Sequence, residues 1–366
     1  MSPALRTNHS SIDWASLAEA IGPNHIDNSD WAQCALALIL GEHNLRAAVD
    51  AELTWRGGYV LAGSVISHLR SEAAHDRCLE IWRSDPDAER RRDAVYLFST
   101  VVRAEDLTQI GEFLSDPDSV IPWWGIRSLT QLAYGGELGE QDSERYLGHL
   151  REIEDEIDLP LDQELAYVRD FLAGLDPKAT MAAESSARCS QRGKQWTDGP
   201  CVDSIDWDRV HGILATGGSG GTTVARLALE LIIGEYRFRD AVDWCVDGNP
   251  GADLARSVLE DVRPRSAGER CIEIFRSEQD LQRRQTAIGI LCLVVVNNQL
   301  YMVEELLNDP DPTIQEYGAA ILEALVDSRL RTDPNPEPFI ALAENHSNEQ
   351  VREKAQTIRR EWIDWA

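Results

Sequence analysis

The sequence carries one set of charged side chains twice, at a spacing that suits an ion-pair network or the recognition of carboxylates. In each copy an arginine, a glutamate and a second arginine stand three residues apart. These residues are Arg77, Glu80 and Arg83, and then Arg270, Glu273 and Arg276. On a helix this spacing places the side chains on neighbouring faces. We favour an ion-pair network in which Glu80 pairs with either arginine and which extends through Arg90 and Arg91; the alternative is a surface whose arginines bind carboxylates of a protein partner.

A second recurrent set of charges is spaced by four residues. It consists of Glu42, Arg46 and Asp50, and then Glu235, Arg239 and Asp243. Side chains four residues apart on a helix can pair with each other. The pattern therefore predicts a helix stabilised by its own ion pairs, and only secondarily a site.

The residues that usually carry catalysis form no recurrent group. None of the eight histidines recurs at its duplicate position; His43, His68 and His75, for example, are replaced by Tyr236, Asp261 and Gly268. The sequence has no H-E-x-x-H zinc motif and no G-x-S-x-G nucleophile motif. The glycine-rich segment 217–221 lacks the Lys-Ser/Thr of a phosphate-binding loop. We therefore predict no metal, no cofactor and no enzymatic activity.

Some of the eleven tryptophans occur in the first copy alone. Trp55 is matched by Gly248, Trp123 by Glu316 and Trp124 by Tyr317. Tryptophan is enriched at binding hot spots, so these three are candidates for contact with a partner. Ordinary differences in packing are the alternative explanation.

The charge balance restricts the class of partner. The 63 acidic residues outnumber the 35 basic ones, which gives a formal net charge of −28. Such a field repels nucleic acids and anionic membrane surfaces, and it speeds encounter with a basic protein. Solubility or adaptation to salt would explain the same composition.

The seven cysteines indicate a reducing compartment. They are odd in number and contain no C-x-x-C motif. Cys34, Cys78, Cys271 and Cys292 lie in apolar helical patterns and are predicted core residues. The N-terminal residues contain no apolar signal-peptide region, and no apolar run is long enough to span a membrane. We expect a cytoplasmic protein.

The elements that position these residues come from a tandem duplication. Residues 12–132 recur without a gap at residues 205–325, an offset of 193 positions. Apolar residues repeat at helical spacing, and we interpret the apolar runs 98–102 and 291–296 as buried helix ends. The sequence thus predicts an all-α fold with one helical module at residues 1–176, a flexible linker at 177–204 and a second module at 205–366.

Each module contains a shorter repeat that begins with Asp-Pro. Ser84-Asp85-Pro86-Asp87 recurs 31 residues later as Ser115-Asp116-Pro117-Asp118. Thirty-one residues accommodate two short helices and two turns. The aspartate before the proline is expected to accept hydrogen bonds from the first turn of the following helix, while proline presets the backbone.

A further pattern in these segments resembles the HEAT-repeat family. An Asp or Asn is followed by Val-Arg and then by a small residue, which Asn348, Val351, Arg352 and Ala355 match best. Arginine replaces the valine at Asp280, Arg283, Arg284, Ala287 and at Asp87, Arg90, Arg91, Ala94. The arginine is absent from Asp118, Ile121, Pro122, Gly125 and from Asp311, Ile314, Gln315, Gly318. The resemblance implies an α-α superhelix with an Asp–Arg ladder between repeats, and we expect that ladder to be incomplete.

Together these patterns predict a non-enzymatic helical-repeat protein that binds another protein, one that is basic. A specific form of this hypothesis is an immunity protein that neutralises a basic toxin domain, since acidic HEAT-like antidotes look similar. The alternative class is an enzyme or assembly factor acting on a protein, similar to HEAT-type bilin lyases, which requires a polar cleft between the modules. Binding of nucleic acid, as in helical-repeat glycosylases, would require a basic stripe around Arg90, Arg91 and Arg92.

Overall fold

The computed structural model describes residues 28–54, 59–134, 222–295, 300–327 and 335–365, together with the single residues Ile12 and Ile21. Over these ranges the regular structure consists of sixteen α-helices and one short 3-10 helix, with no strand. The predicted all-α fold is confirmed. The predicted linker at 177–204 and the glycine-rich segment 217–221 lie outside the described residues, so the domain boundaries remain a prediction.

The described helices fall into two compact units that divide after Ala228. The first unit contains seven described helices before that point: α1 (Asn28–Leu40), α2 (Glu42–Glu52), α3 (Tyr59–Leu69), α4 (Glu72–Ser84), α5 (Ala88–Val101), α6 (Leu107–Leu114) and α7 (Ile121–Tyr134). The 3-10 helix Ala104–Asp106 lies between α5 and α6.

Helix α8 (Thr222–Ile233) contains the division between the units. The second unit continues with eight helices: α9 (Glu235–Val246), α10 (Ala252–Val262), α11 (Arg265–Ser277), α12 (Leu281–Val294), α13 (Tyr301–Leu307), α14 (Pro312–Asp327), α15 (Glu337–Glu344) and α16 (Glu349–Trp365). Helices α8 to α14 correspond to α1 to α7 at the offset that the duplication gives.

Each unit is a stack of antiparallel helix pairs in two layers. In the first unit α2 and α4 pack side by side. Together with α6 they form one layer, which we call the A layer, and α1, α3, α5 and α7 form the other, the B layer. In the second unit α9, α11, α13 and α15 form the A layer and α10, α12, α14 and α16 the B layer. Helices pack on the next helix in sequence and on the next but one, which is the packing of an α-α solenoid.

The core of each unit lies between its two layers. The largest fully buried side chains include Phe98 of α5, Phe113 of α6 and Phe238 of α9. Phe98 and Val101 are buried at the end of α5, and Leu291 and Val294 at the end of α12. The interpretation of these two apolar runs as buried helix ends is therefore confirmed.

The Asp-Pro-Asp segments form the turns into B-layer helices, but with a different cap from the one predicted. The Asp87 side chain, after the proline, caps α5 by accepting from the backbone N–H of Glu89 at 2.9 Å. Asp85, before the proline, accepts from the Asp87 N–H at 3.0 Å. Because the helix begins at Ala88, Asp87 occupies the N-cap position and Asp85 stands two residues too early to cap the helix. Asp116 and Asp118 repeat this arrangement.

One recurrent dipeptide has a backbone explanation. Gly41 and Gly234 begin α2 and α9 with φ angles of 84° and 97°, a region that side chains with a Cβ rarely adopt. The Gly-Glu pair recurs because both copies turn sharply at this point.

The ladder that the HEAT resemblance implies exists in an altered form. The motif arginines Arg91 and Arg352 bend back to backbone carbonyls of the preceding turn, at 2.9 and 2.7 Å. Two polar contacts between neighbouring B-layer helices join a motif aspartate to the residue that follows the motif arginine: Arg92 to Asp118 at 2.9 Å and Gln285 to Asp311 at 3.0 Å. A third joins two motif positions, Asn348 and Gln315, at 3.2 Å. Arg284 is the motif arginine that reaches an aspartate, Asp309, of the next pair.

Within the described ranges, no helix is both long and apolar enough to cross a membrane. The described cysteines are free thiols: Cys34, Cys78, Cys245, Cys271 and Cys292. Cys34, Cys78 and Cys271 are buried as predicted, whereas Cys292 is half-buried.

Candidate functional site

The recurrent arginines and glutamates lie on A-layer helices and pair across them. In the first unit Arg77 of α4 donates to the Asp50 carboxylate of α2 through Nε at 3.2 Å and through a terminal nitrogen at 2.9 Å. Glu80 accepts from Arg77 at 3.2 Å and also from Arg46 of α2. Arg90 of α5 adds a third contact to Asp50, at 2.9 Å. We call these residues, with Arg83 and its partner, the arginine ladder.

The second unit contains the same ladder at the duplicated positions. Arg270 donates to Asp243 through Nε at 3.0 Å and through a terminal nitrogen at 2.8 Å. Glu273 accepts from Arg270 at 3.1 Å and also from Arg239. Arg276 reaches Glu305 of α13 at 2.7 Å, as Arg83 reaches Glu112 of α6 at 3.4 Å.

These contacts correct two details of the sequence interpretation. Glu80 does not pair with Arg83, which instead bonds to the next A-layer helix. Arg46 and Asp50 do not pair along their own helix but with α4. Tertiary packing brings a carboxylate of one helix against a guanidinium of its neighbour.

The charges of the ladder are mutually stabilising. The hydrogen bond from Arg46, followed by that from Arg77, lowers the pKa of Glu80, and Arg239 does the same for Glu273. The hydrogen bond to Asp50 raises the pKa of Arg77. The side chains of Arg46, Asp50, Arg77 and Glu80 are all partly exposed, so each ion pair contributes modestly to stability. Because Arg77 and Arg270 already hold two carboxylates each, little donor capacity remains for a partner.

The tryptophans of α7 belong to an aromatic cluster on the B layer. The Trp123 and Trp124 rings lie 4.0 Å apart between centroids, and the Trp124 ring lies 4.7 Å from that of Tyr96 on α5. The Arg127 guanidinium carbon lies 5.7 Å from the centroids of both the Tyr96 and Trp124 rings. We call these four residues the Trp124 cluster. Tyr96 is 36% exposed, and the other three are half-buried.

The second copy does not reproduce this cluster. Gly289, Glu316, Tyr317 and Ala320 stand at the positions of Tyr96, Trp123, Trp124 and Arg127. A Cβ added to Gly289 would lie 3.4 Å from the Tyr317 hydroxyl, so the single remaining ring packs over the glycine. The first copy thus has several rings and a cation at this place, whereas the second has a single tyrosine ring packed against a glycine.

Two members of the cluster, Tyr96 and Arg127, were not among the predicted site residues. A comparison of the two copies could have identified both residues, because neither Tyr96 nor Arg127 keeps its residue type in the duplicate. Trp55, which was predicted, lies outside the described residues.

A second residue pair confined to the first copy is buried. His75 of α4 and Asp106 of the 3-10 helix place Nε2 and Oδ1 2.9 Å apart, and both side chains are almost fully buried. Burial lowers the pKa of His75, but the hydrogen bonds to Asp106 and Asp76 more than compensate and raise it to about 9. The protonated ring therefore ties α4 to the connection between α5 and α6. Because both side chains are buried, we interpret this pair as structural.

An acidic group of the first copy lies against a glycine. The Glu52 carboxylate of α2 accepts from the Gly63 N–H of α3 at 3.2 Å, and a Cβ at Gly63 would stand 2.7 Å from the carboxyl carbon. Burial raises the pKa of Glu52, the Gly63 hydrogen bond lowers it and the nearby Asp93 raises it. The net result is a pKa of about 7. The duplicate positions hold Cys245 and Arg256.

The second unit has a shallow cleft at the end of α11. Phe275, Arg284 and Asp309 line it, together with Arg276 and Glu305 of the ladder. In the first copy the larger Trp82 stands at the position of Phe275, and its Nε1 donates to Asp116 at 3.1 Å. Among the described residues no group of histidine, cysteine and carboxylate side chains has the arrangement of a metal site.

Comparison with known proteins adds little to this description. No protein-family model matches the sequence, and neither does any curated protein. A solved structure of an engineered protein aligns over 96% of this chain and 99% of its own, with 12% identity and a TM-score of 0.24. A Kap121p mutant aligns over 89% of this chain and 42% of its own, with 15% identity and a TM-score of 0.28. Scores this low establish no shared fold, so the assignment of a helical-repeat solenoid rests on the helices and their packing.

Proposed function

We propose that this chain is a non-enzymatic scaffold that binds a basic protein. The observation that carries the proposal is how the two kinds of charge are used. Arginines of the arginine ladder bond to carboxylates within each unit, while acidic residues remain in an excess of 28 over the chain. The arginines of the ladder are thus paired with carboxylates inside each unit, and the excess of acidic residues gives the chain a net negative charge that a partner can bind.

An acidic surface of this strength selects its partner by sign. It accelerates encounter with a positively charged protein and suppresses binding to polyanions, which share its own charge. The Trp124 cluster supplies the apolar area that electrostatic attraction alone lacks, since aromatic side chains contribute much of the affinity at protein interfaces. The predicted arginines of the ladder then serve to hold neighbouring A-layer helices together.

The specific form of the proposal is a cytoplasmic immunity protein that covers a basic toxin domain such as a nuclease. A toxin that acts on nucleic acid needs a basic active-site surface, and an acidic helical stack competes for that surface. The free thiols of the described cysteines agree with a reducing compartment.

The test is capture of the partner followed by measurement with purified components. The full-length chain, immobilised, is incubated at low salt with lysate of its own cells, and bound proteins are identified by mass spectrometry. We expect a basic protein whose affinity, measured by calorimetry, falls as salt is raised. Recovery of no protein, or of one whose binding does not respond to salt, would refute the proposal. If the captured protein is a nuclease, inhibition of its activity by the chain tests the immunity form separately.

A further inference from the structure

Arg127 is used differently from the other arginines of the first unit. Among the described residues 28–134 of that unit, the other arginines donate to a carboxylate or to a backbone carbonyl. They are Arg46, Arg70, Arg77, Arg83, Arg90, Arg91, Arg92 and Arg103. Arg127 makes no such contact with any described residue, and its guanidinium lies against two rings. In a protein where arginines pair inside the fold, this one is left with unused donors.

The two rings hold the Arg127 guanidinium in place without occupying its N–H groups. The positive charge is attracted to the faces of Tyr96 and Trp124, while the donors lie in the plane of the group. The Arg127 side chain is half-buried, and its nitrogen atoms are not fully buried. A side chain already fixed in this way loses less conformational freedom when it binds a further group.

We propose that Arg127 anchors the partner-binding surface by receiving the carboxylate of an aspartate or glutamate side chain of the bound protein. The proposal rests on the proposed function and specifies the chemistry of its contact. A forked guanidinium binds a carboxylate through two parallel hydrogen bonds, which fixes both position and direction. Tryptophan, tyrosine and arginine are the residue types enriched at the centre of protein interfaces, and the Trp124 cluster contains all three.

Charge complementarity explains why an acidic group would be the contact on an otherwise basic partner. Over most of this chain, whose net charge is −28, a carboxylate of the partner is repelled. At Arg127 it is attracted, so one acidic residue within a basic surface binds favourably in a single register. The second copy has Ala320 at the equivalent position and lacks the stacked rings, so it offers no competing anchor.

The experiment uses two fluorescent peptides as probes and the full-length chain as receptor. Both peptides are rich in lysine and arginine and differ at one central residue, glutamate in one and glutamine in the other. Binding is followed by fluorescence anisotropy at low salt. For a partly exposed ion pair, we expect the chain to bind the glutamate peptide about three- to fivefold more tightly. In Arg127→Gln the two peptides should bind equally.

Two further variants keep the result interpretable. Arg256→Gln removes an exposed arginine of the second unit, so it changes the net charge equally and should leave the preference for glutamate intact. Arg127→Lys keeps the charge but loses the fork, and the preference should shrink; it also serves if Arg127→Gln does not fold, as judged by circular dichroism.

The outcomes separate the two proposals. Equal affinity of the unaltered chain for both peptides overturns the role of Arg127 but leaves a basic partner in place. A preference that survives in both Arg127 variants has the same consequence. If neither peptide binds the unaltered chain at low salt, the proposed function fails as well.

Discussion

The two copies of the repeat share their A-layer contacts and differ on their B-layer surface. Most contacts of the arginine ladder recur, such as Arg77–Asp50 and its counterpart Arg270–Asp243. The exception is Arg90, which bonds to Asp50, whereas its counterpart Arg283 bonds to Asp247. The Trp124 cluster of the first copy is replaced by a tyrosine packed over Gly289. Contacts that both copies keep are those that any such stack needs in order to hold adjacent helices. Features found in one copy are where a separate role can reside, because the other copy shows that the stack forms without them.

Among the features found in the first copy alone, the His75–Asp106 pair is expected to contribute most to the free energy of unfolding. The second copy folds with Gly268 in place of the histidine. Asp106→Asn leaves a buried imidazolium without its carboxylate and should lower the free energy of unfolding by about 3 kcal/mol near neutral pH. The matched control is Asp76→Asn, which alters an exposed carboxylate bonded to the same ring and should cost less than about 1 kcal/mol. Denaturant unfolding measures both.

The pH dependence of this effect follows from the sign of the shift. The pKa of His75 is raised from 6.5 to about 9 in the folded chain. Its contribution to stability is therefore complete below pH 6.5 and is lost as the pH rises through about 9. The difference in stability between the unaltered chain and Asp106→Asn should therefore shrink as the pH rises from about 6.5 to about 9. A difference that stays constant over this range would show that the ring is not protonated in the fold.

The arginine ladder should give a smaller effect that differs between the copies. In Arg77→Gln, Asp50 keeps its contact with Arg90, whereas in Arg270→Gln no other described arginine bonds to Asp243. We expect losses of about 0.5 kcal/mol for the first variant and about 1 kcal/mol for the second, both reduced by salt. Thermal unfolding of each variant, at low and high salt, is the measurement.

The same two substitutions combined test the recognition interpretation of the ladder. If the arginines stabilise helix packing, the double variant loses stability while binding of the captured partner changes little. Unchanged thermal stability with lost binding or lost activity would instead support a recognition surface, or the alternative of an enzyme acting on a protein.

The sequence predicted the helices and the recurrent charged residues, but not the residues to which those charges bond. Helical spacing and the duplication predicted the helices and the recurrence of Arg77, Glu80 and their copies. They did not predict that Glu80 would bond to Arg46, because regular spacing along one helix suggests partners within it. The partners of a surface charge are decided by how neighbouring helices pack, and that information is spread over the cores of several helices.

The Trp124 cluster illustrates the same limit. The absence of a duplicate identified Trp123 and Trp124, yet the ring of Tyr96 and the guanidinium of Arg127 come together only when α5 and α7 lie side by side. Motif spacing also misplaced the cap at Asp85, because the residue at which the helix begins, rather than the residue type, decides which aspartate caps it.

A small effect of opposite sign concerns Glu52, where the first copy carries a half-buried acid and the second a cysteine. The pKa of Glu52 is raised from 4.5 to about 7 in the folded chain, since burial disfavours its charged form. The folded chain thus holds the proton more tightly than the unfolded one, and stability falls as the pH rises from about 4.5 to about 7. Glu52→Gln removes this loss while keeping an oxygen for the Gly63 N–H.

We expect Glu52→Gln to match the unaltered chain near pH 4 and to exceed its stability by about 1 kcal/mol at pH 8, after allowance for partial exposure. Glu80→Gln is the control of opposite sign. The pKa of Glu80 is lowered by Arg46, so its ionised form stabilises the fold above pH 4.5, and its removal should destabilise the chain at pH 8. If thermal unfolding at the two pH values showed the same sign for both variants, the contrast between a buried acid of one copy and a ladder acid of both would not hold.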